Sequence, residues 1–91
     1  MGQVEDDTSI IIRSPHRTRV VERLAKGPAI PSQIRDDTGQ GYSRISEAVK
    51  ALRDEGLVEL VVDEDTKRGR LYKLTERGRD AYEYLEDNNM L

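Results

Sequence analysis

Two groups of cations stand out among the residues able to do chemistry. Between residues 13 and 28, Arg13, Arg17, Arg19, Arg23 and Lys26 stand against Glu22 alone, and Lys67, Arg68 and Arg70 form a second cluster. Such density suits a polyanionic partner. The formal net charge of the whole chain is −3, which counts against a nucleic-acid binder. The acids, however, lie mainly at the two ends and at Asp63, Glu64 and Asp65. A negative average can therefore coexist with a positive face. Catalysis has much less support. The chain has no cysteine and a single histidine, so disulfides, thiolate metal sites, cysteine nucleophiles and multi-histidine metal centres are ruled out. His16 has no base or nucleophile in a recognisable motif and reads as a packing or surface residue. Asp36 and Asp37 lack further ligands, and Gly39-Gln40-Gly41 lacks the lysine and hydroxyl of a phosphate-binding loop. No enzyme activity, cofactor or metal is expected.

The elements that must position these cations follow from apolar spacing and punctuation. A chain of 91 residues accommodates one modest core. Hydrophobic residues at 35% and charged residues at 36% fit a small globular domain. No run of 18 apolar residues is present, so no membrane span is expected. Without a signal-peptide layout in the acidic N-terminus, the expected location is the cytoplasm. Residues 1–9 read as a flexible acidic segment, 10–86 as the domain, and 87–91 as a frayed end. Ile10, Ile11 and Ile12 are β-branched and read as a short extended lead-in. Ser14-Pro15 opens a helix with Val20, Val21 and Leu24 on one stripe, and Gly27-Pro28 ends it. A short helix from about Pro31-Ser32 to Thr38-Gly39 buries chiefly Ile34. A third runs from about Tyr42 to Glu55, with Ile45, Ala48, Val49 and Leu52 on its inner side. Residues 57–62 and 70–74 read as a hairpin with a charged tip. Thr75 caps a last helix edged by Ala81, Tyr82 and Leu85.

Helix, short link, helix, glycine turn, helix, hairpin, helix is the order of a helix-turn-helix followed by a wing. The residues carrying this pattern are Ser14-Pro15-His16-Arg17, Gly27-Pro28-Ala29, Pro31-Ser32-Gln33-Ile34, Thr38-Gly39, Ser43-Arg44-Ile45-Ser46, Ala48-Val49-Lys50-Ala51-Leu52, Glu55-Gly56-Leu57-Val58, Arg68-Gly69-Arg70-Leu71-Tyr72 and Leu74-Thr75-Glu76-Arg77-Gly78. The chain resembles the winged helix-turn-helix transcriptional regulators of prokaryotes, especially small archaeal single-domain ones, and is similar to the MarR-like and ArsR-like groups. The resemblance covers about residues 10–85. It implies an α+β, mainly helical fold: a three-helix core, a two-stranded wing and a C-terminal helix.

The resemblance also implies sequence-specific binding to double-stranded DNA by a homodimer. The third helix is the expected recognition helix. It would bury Ile45, Ala48, Val49 and Leu52 and show its other face to the major groove. Ser43 and Arg44 sit at its N-terminal end, Arg44 suits guanine and Glu47 suits cytosine. Ser46, Lys50 and Arg53 suit phosphate oxygens, and Tyr42 suits a phosphate or a thymine methyl. Lys67, Arg68 and Arg70 suit phosphates or a minor groove. Ile10, Ile11, Ile12, Tyr82 and Leu85 are the expected dimer contacts. Three positions depart from the family pattern. Gln40 and Gly41 stand where an apolar residue and a serine are usual, and Glu47 where a cation is common. Gln40 is thus expected to be a poorer core plug. Glu47 and the net acidity leave an alternative, a winged helix adaptor that binds another protein. No effector is legible.

Overall fold

The computed structural model describes residues 2–61 and 70–91. Ser14 is held in extended backbone, its Oγ accepts from the Arg17 N–H at 3.4 Å, and Pro15 occupies the first helical turn. The helix it opens, α2 (Pro15–Leu24), follows an N-terminal helix α1 (Gln3–Ile12). After α2, Ala29 exchanges both backbone hydrogen bonds with Tyr72, each at 2.9 Å. This single bridge ties the link to the hairpin. Helix α3 (Pro31–Thr38) opens with Gln33 Oε1 accepting from the Ile30 N–H at 3.1 Å. It closes on Gly39 in the left-handed region, whose N–H donates to the Arg35 carbonyl. Helix α4 (Tyr42–Asp54) ends on Gly56 at φ +78, and the Leu57 N–H reaches back to the Leu52 carbonyl at 2.9 Å. That is the six-to-one bond expected when glycine follows a helix C-terminus.

Strands β1 (Val58–Val61) and β2 (Leu71–Leu74) pair antiparallel in the register Val58–Leu74 to Val61–Leu71. Helix α5 (Glu76–Asp87) follows. The core is continuous: Val20, Val21 and Leu24 of α2 meet Ile34, the Ile45/Ala48/Val49/Leu52 stripe of α4, and Leu57, Tyr72 and Leu74 of the hairpin. The α+β, mainly helical architecture is therefore that expected from the sequence. Among the described residues, no helix is long and apolar enough to cross a membrane.

The N-terminal end differs from expectation. Residues 3–9, read as flexible, and the isoleucines, read as extended, together form α1. Its buried residues are Asp7, Thr8 and Ile11, a stripe with helical spacing in which only one member is aliphatic. Helix formation wins over the β-branched content because this stripe packs on α5. Asp7 is 1% exposed. Its carboxylate accepts from Arg77 Nη2 at 2.7 Å, Arg77 Nε at 3.2 Å and Gln3 Nε2 at 3.2 Å. The bond to Asp7 raises Arg77 above the ordinary guanidinium range. A buried carboxylate requires such pairing. At the other end α5 closes on Asn88. Asn89 adopts φ +54 and the Met90 N–H donates to the Leu85 carbonyl at 2.9 Å.

Thr75 joins the hairpin to α5 in both directions. Its Oγ1 accepts from the Gly78 N–H at 3.1 Å and donates to the Gly56 carbonyl at 2.7 Å. Thr75→Ala is expected to cost about 1–2 kcal/mol, read as a lower urea midpoint at unchanged slope. Thr75→Ser should recover most of that loss.

Candidate nucleic-acid interface

Burial divides α4 cleanly. Ile45, Ala48, Val49 and Leu52 face inward, and Tyr42, Ser43, Arg44, Ser46, Glu47, Lys50 and Arg53 are all exposed. Every side chain expected on the recognition face is thus exposed. Ion pairs lie along it: Arg44 Nη1 is 3.8 Å from Glu47 Oε2, and Lys50 Nζ is 3.1 Å from Asp54 Oδ2. Both pairs have exposed partners, so water screens them and each is worth little. Their geometry leaves the cations able to exchange a carboxylate for a phosphate.

Between α4 and the hairpin lies a groove of about 320 Å³. Ile45, Val49 and Tyr72 contribute apolar surface, and Ser46, Lys50, Arg53 and Arg70 contribute a hydroxyl and three cations. The Arg53 guanidinium lies over the Tyr72 ring, 5.9 Å from its centroid, so a ring from the hairpin helps to orient a cation from the helix. Arg70 is exposed. Lys67 and Arg68 fall outside the described residues. On the outer face of the hairpin, Lys73 Nζ and Glu59 Oε1 make a cross-strand pair at 3.6 Å.

A smaller hollow of about 100 Å³ opens beside the N-terminal half of α4, lined by Ser14, His16, Arg17, Arg44, Glu47 and Ala48. Here the turn entering α4 is fixed by polar bonds. Gln40 is 5% exposed. Its Oε1 lies 2.8 Å from His16 Nδ1, which donates in the tautomer this contact requires. Its Nε2 and its backbone N–H approach Thr38 Oγ1, each at 3.3 Å. Gln40, read as a poor plug, is therefore a buried polar residue with partners, and His16 is one of them.

The expected dimer contacts separate. Ile11 and Leu85 are fully buried in the chain's own core, which corrects their placement at an interface: they are the residues by which α1 and α5 close on the domain. Ile10 and Tyr82 are partly buried against that core. Ile12 remains exposed. The Tyr82 hydroxyl donates to Glu86 Oε2 at 3.1 Å, and burial followed by this bond raises its pKa. Sequence reasoning missed Arg35, whose guanidinium stacks on Tyr42 with 4.8 Å from Cζ to the ring centroid. The signal available was a cation in α3 near an aromatic at the start of α4. Among the described residues, no group of three or more histidine, cysteine or acidic side chains could hold a metal ion.

Residues 19–78, well over half of the chain, match the winged helix DNA-binding domain family. The chain belongs to that family. No curated protein shows significant sequence similarity to it. Several solved structures share the fold. A MarR family regulator from Neisseria meningitidis is 26% identical, with a TM-score of 0.74 over 85% of this chain and 55% of that one. A second MarR family transcription regulator is 22% identical, with a TM-score of 0.81 over 96% and 58%. A MarR family regulator from Enterococcus faecalis V583 is 16% identical, with a TM-score of 0.82 over 96% and 79%. The winged helix chain spans little more than half the length of the first two.

Proposed function

We propose that this winged helix protein is a transcriptional regulator that binds double-stranded DNA sequence-specifically. The observation that carries this reading is the exposed outer face of α4, with Lys50, Arg53 and Arg70 lining the groove beside it and Arg44 lining the hollow at its other edge. In this reading α4 enters the major groove. Arg44 makes two hydrogen bonds to guanine, and Glu47 either accepts from cytosine N4 or releases Arg44 to do its work. Ser43 contacts bases or backbone beside it. Ser46, Lys50 and Arg53 hold phosphates, and the wing residues Lys67, Arg68 and Arg70 hold the adjoining backbone or minor groove. The protein acts as a homodimer, with recognition helices about one DNA turn, roughly 34 Å, apart. Ile10, Ile12 and Tyr82 remain the available contacts at the N- and C-terminal helices. An expected place of action is the cytoplasm, where the DNA is.

The test is fluorescence anisotropy with genomic DNA fragments across a salt series. Affinity should fall steeply and log-linearly with salt as counterions are released. Lys50→Gln and Arg53→Gln should weaken binding to all sequences alike, each lowering the salt slope by about one. Arg44→Ala should instead reduce discrimination between sequences. Discrimination by that variant unchanged from the wild type would remove only its base-reading role. No binding at low salt would sink the DNA reading and favour an adaptor that docks another protein.

A further inference from the structure

Tyr42 is the first residue of α4 and is 47% exposed, more than any other large apolar side chain among the described residues. An exposed aromatic at a helix start would ordinarily sample several rotamers. Here its ring is covered on one face by the Arg35 guanidinium. Arg35 in turn donates from Nε and Nη2 to Asp36 Oδ1, at 3.3 and 3.1 Å. A chain of contacts from Asp36 through Arg35 to Tyr42 thus straddles the turn between α3 and α4. Asp36 offsets the charge on Arg35, which makes Arg35 a weaker phosphate ligand and a better ring holder. Nearly half of the Tyr42 surface nonetheless stays exposed.

We propose that Tyr42 reads the 5-methyl group of thymine, and that Arg35 is the residue that positions it. The inference rests on the DNA-binding reading above and adds a specificity determinant to it. The N-terminal end of a recognition helix goes deepest into the major groove. Thymine alone among the four bases carries a methyl there. A ring already held by a stacked cation loses less conformational freedom on contact. Burying one methyl against it is worth about a fourfold gain in affinity.

Replacing thymine with deoxyuridine removes the methyl and keeps every hydrogen-bonding group. A site selected from a random duplex pool would be made in both forms and titrated with the full chain. The wild type should bind the thymine form about fourfold more tightly for each methyl contacted. Tyr42→Ala should bring the ratio to one while keeping salt-dependent binding, and Tyr42→Phe should preserve the ratio. Arg35→Gln should lower the ratio, and Arg35→Lys should restore part of it. A wild-type ratio of one, or the same ratio in Tyr42→Ala, overturns the proposal while leaving DNA binding intact. Failure of the wild type to bind any duplex at low salt removes the underlying reading and this inference with it.

Discussion

Gly78→Ala is expected to lower the unfolding free energy by about 3 kcal/mol. Helix propensity alone predicts the opposite sign, since alanine is favoured over glycine inside a helix by about 1 kcal/mol. Packing decides. A Cβ at Gly78 would lie 2.0 Å from the Leu57 carbonyl oxygen and 3.3 Å from Leu74 Cδ2. The first obstacle is backbone, so no side-chain rotation relieves it. The same Leu57 oxygen accepts the Thr75 N–H at 3.0 Å, and Leu57 is fully buried. Helix α5 would therefore have to move away from the start of β1. Urea unfolding of Gly78→Ala beside Gly41→Ala checks this, because Gly41 has negative φ and nothing within 4 Å of its Cβ position. A stabilised Gly78→Ala would show that the close approach of α5 to β1 is absent.

Ile34→Ala is expected to cost about 3 kcal/mol and to weaken DNA binding as well. Helix α3 has eight residues and a single buried one, Ile34, which is fully inaccessible. A helix of that length has little stability of its own in water, so its position against α2 and α4 depends on this anchor. Truncation leaves a cavity at the junction of three helices and frees α3 to shift. The turn into α4 would loosen with it, because Thr38 Oγ1 links the Ile34 carbonyl to Gln40. Chemical denaturation measures the stability loss, amide exchange in α3 its loosening, and an anisotropy titration the weaker binding expected under the proposed function. A loss below about 1 kcal/mol would mean that α3 is held by something other than Ile34.

The α4 stripe and the helix boundaries at Ser14, Gly39 and Gly56 were legible because each rests on local chemistry: a spacing, a cap or a backbone conformation. The face opposite that stripe was legible for the same reason, since burying Ile45, Ala48, Val49 and Leu52 leaves Arg44, Glu47 and Lys50 outside. What escaped depends on partners distant in sequence. An apolar count along α1 sees the isoleucines and misses Asp7, whose burial depends on Arg77. Gln40 looks out of place until His16 supplies a donor from 24 positions away. Arg35 shows no role until α3 and α4 are placed side by side.

The bond between Asp7 and Arg77 spans 70 positions, and that distance sets an order of events during synthesis. Residues 15–54 hold all three helices of the core, so these can begin to associate as the nascent chain leaves the ribosome. Helix α1 emerges before any of them, and although α2 bonds to its last turn, the larger part of its seat is made by α5. At about 5–20 residues per second, Asp7 and Ile11 wait roughly 4–14 s for that seat to exist. Through that interval the Asp7 carboxylate lacks its Arg77 partner and α1 has only α2 to pack against, so its isoleucine stretch is open to capture by a chaperone.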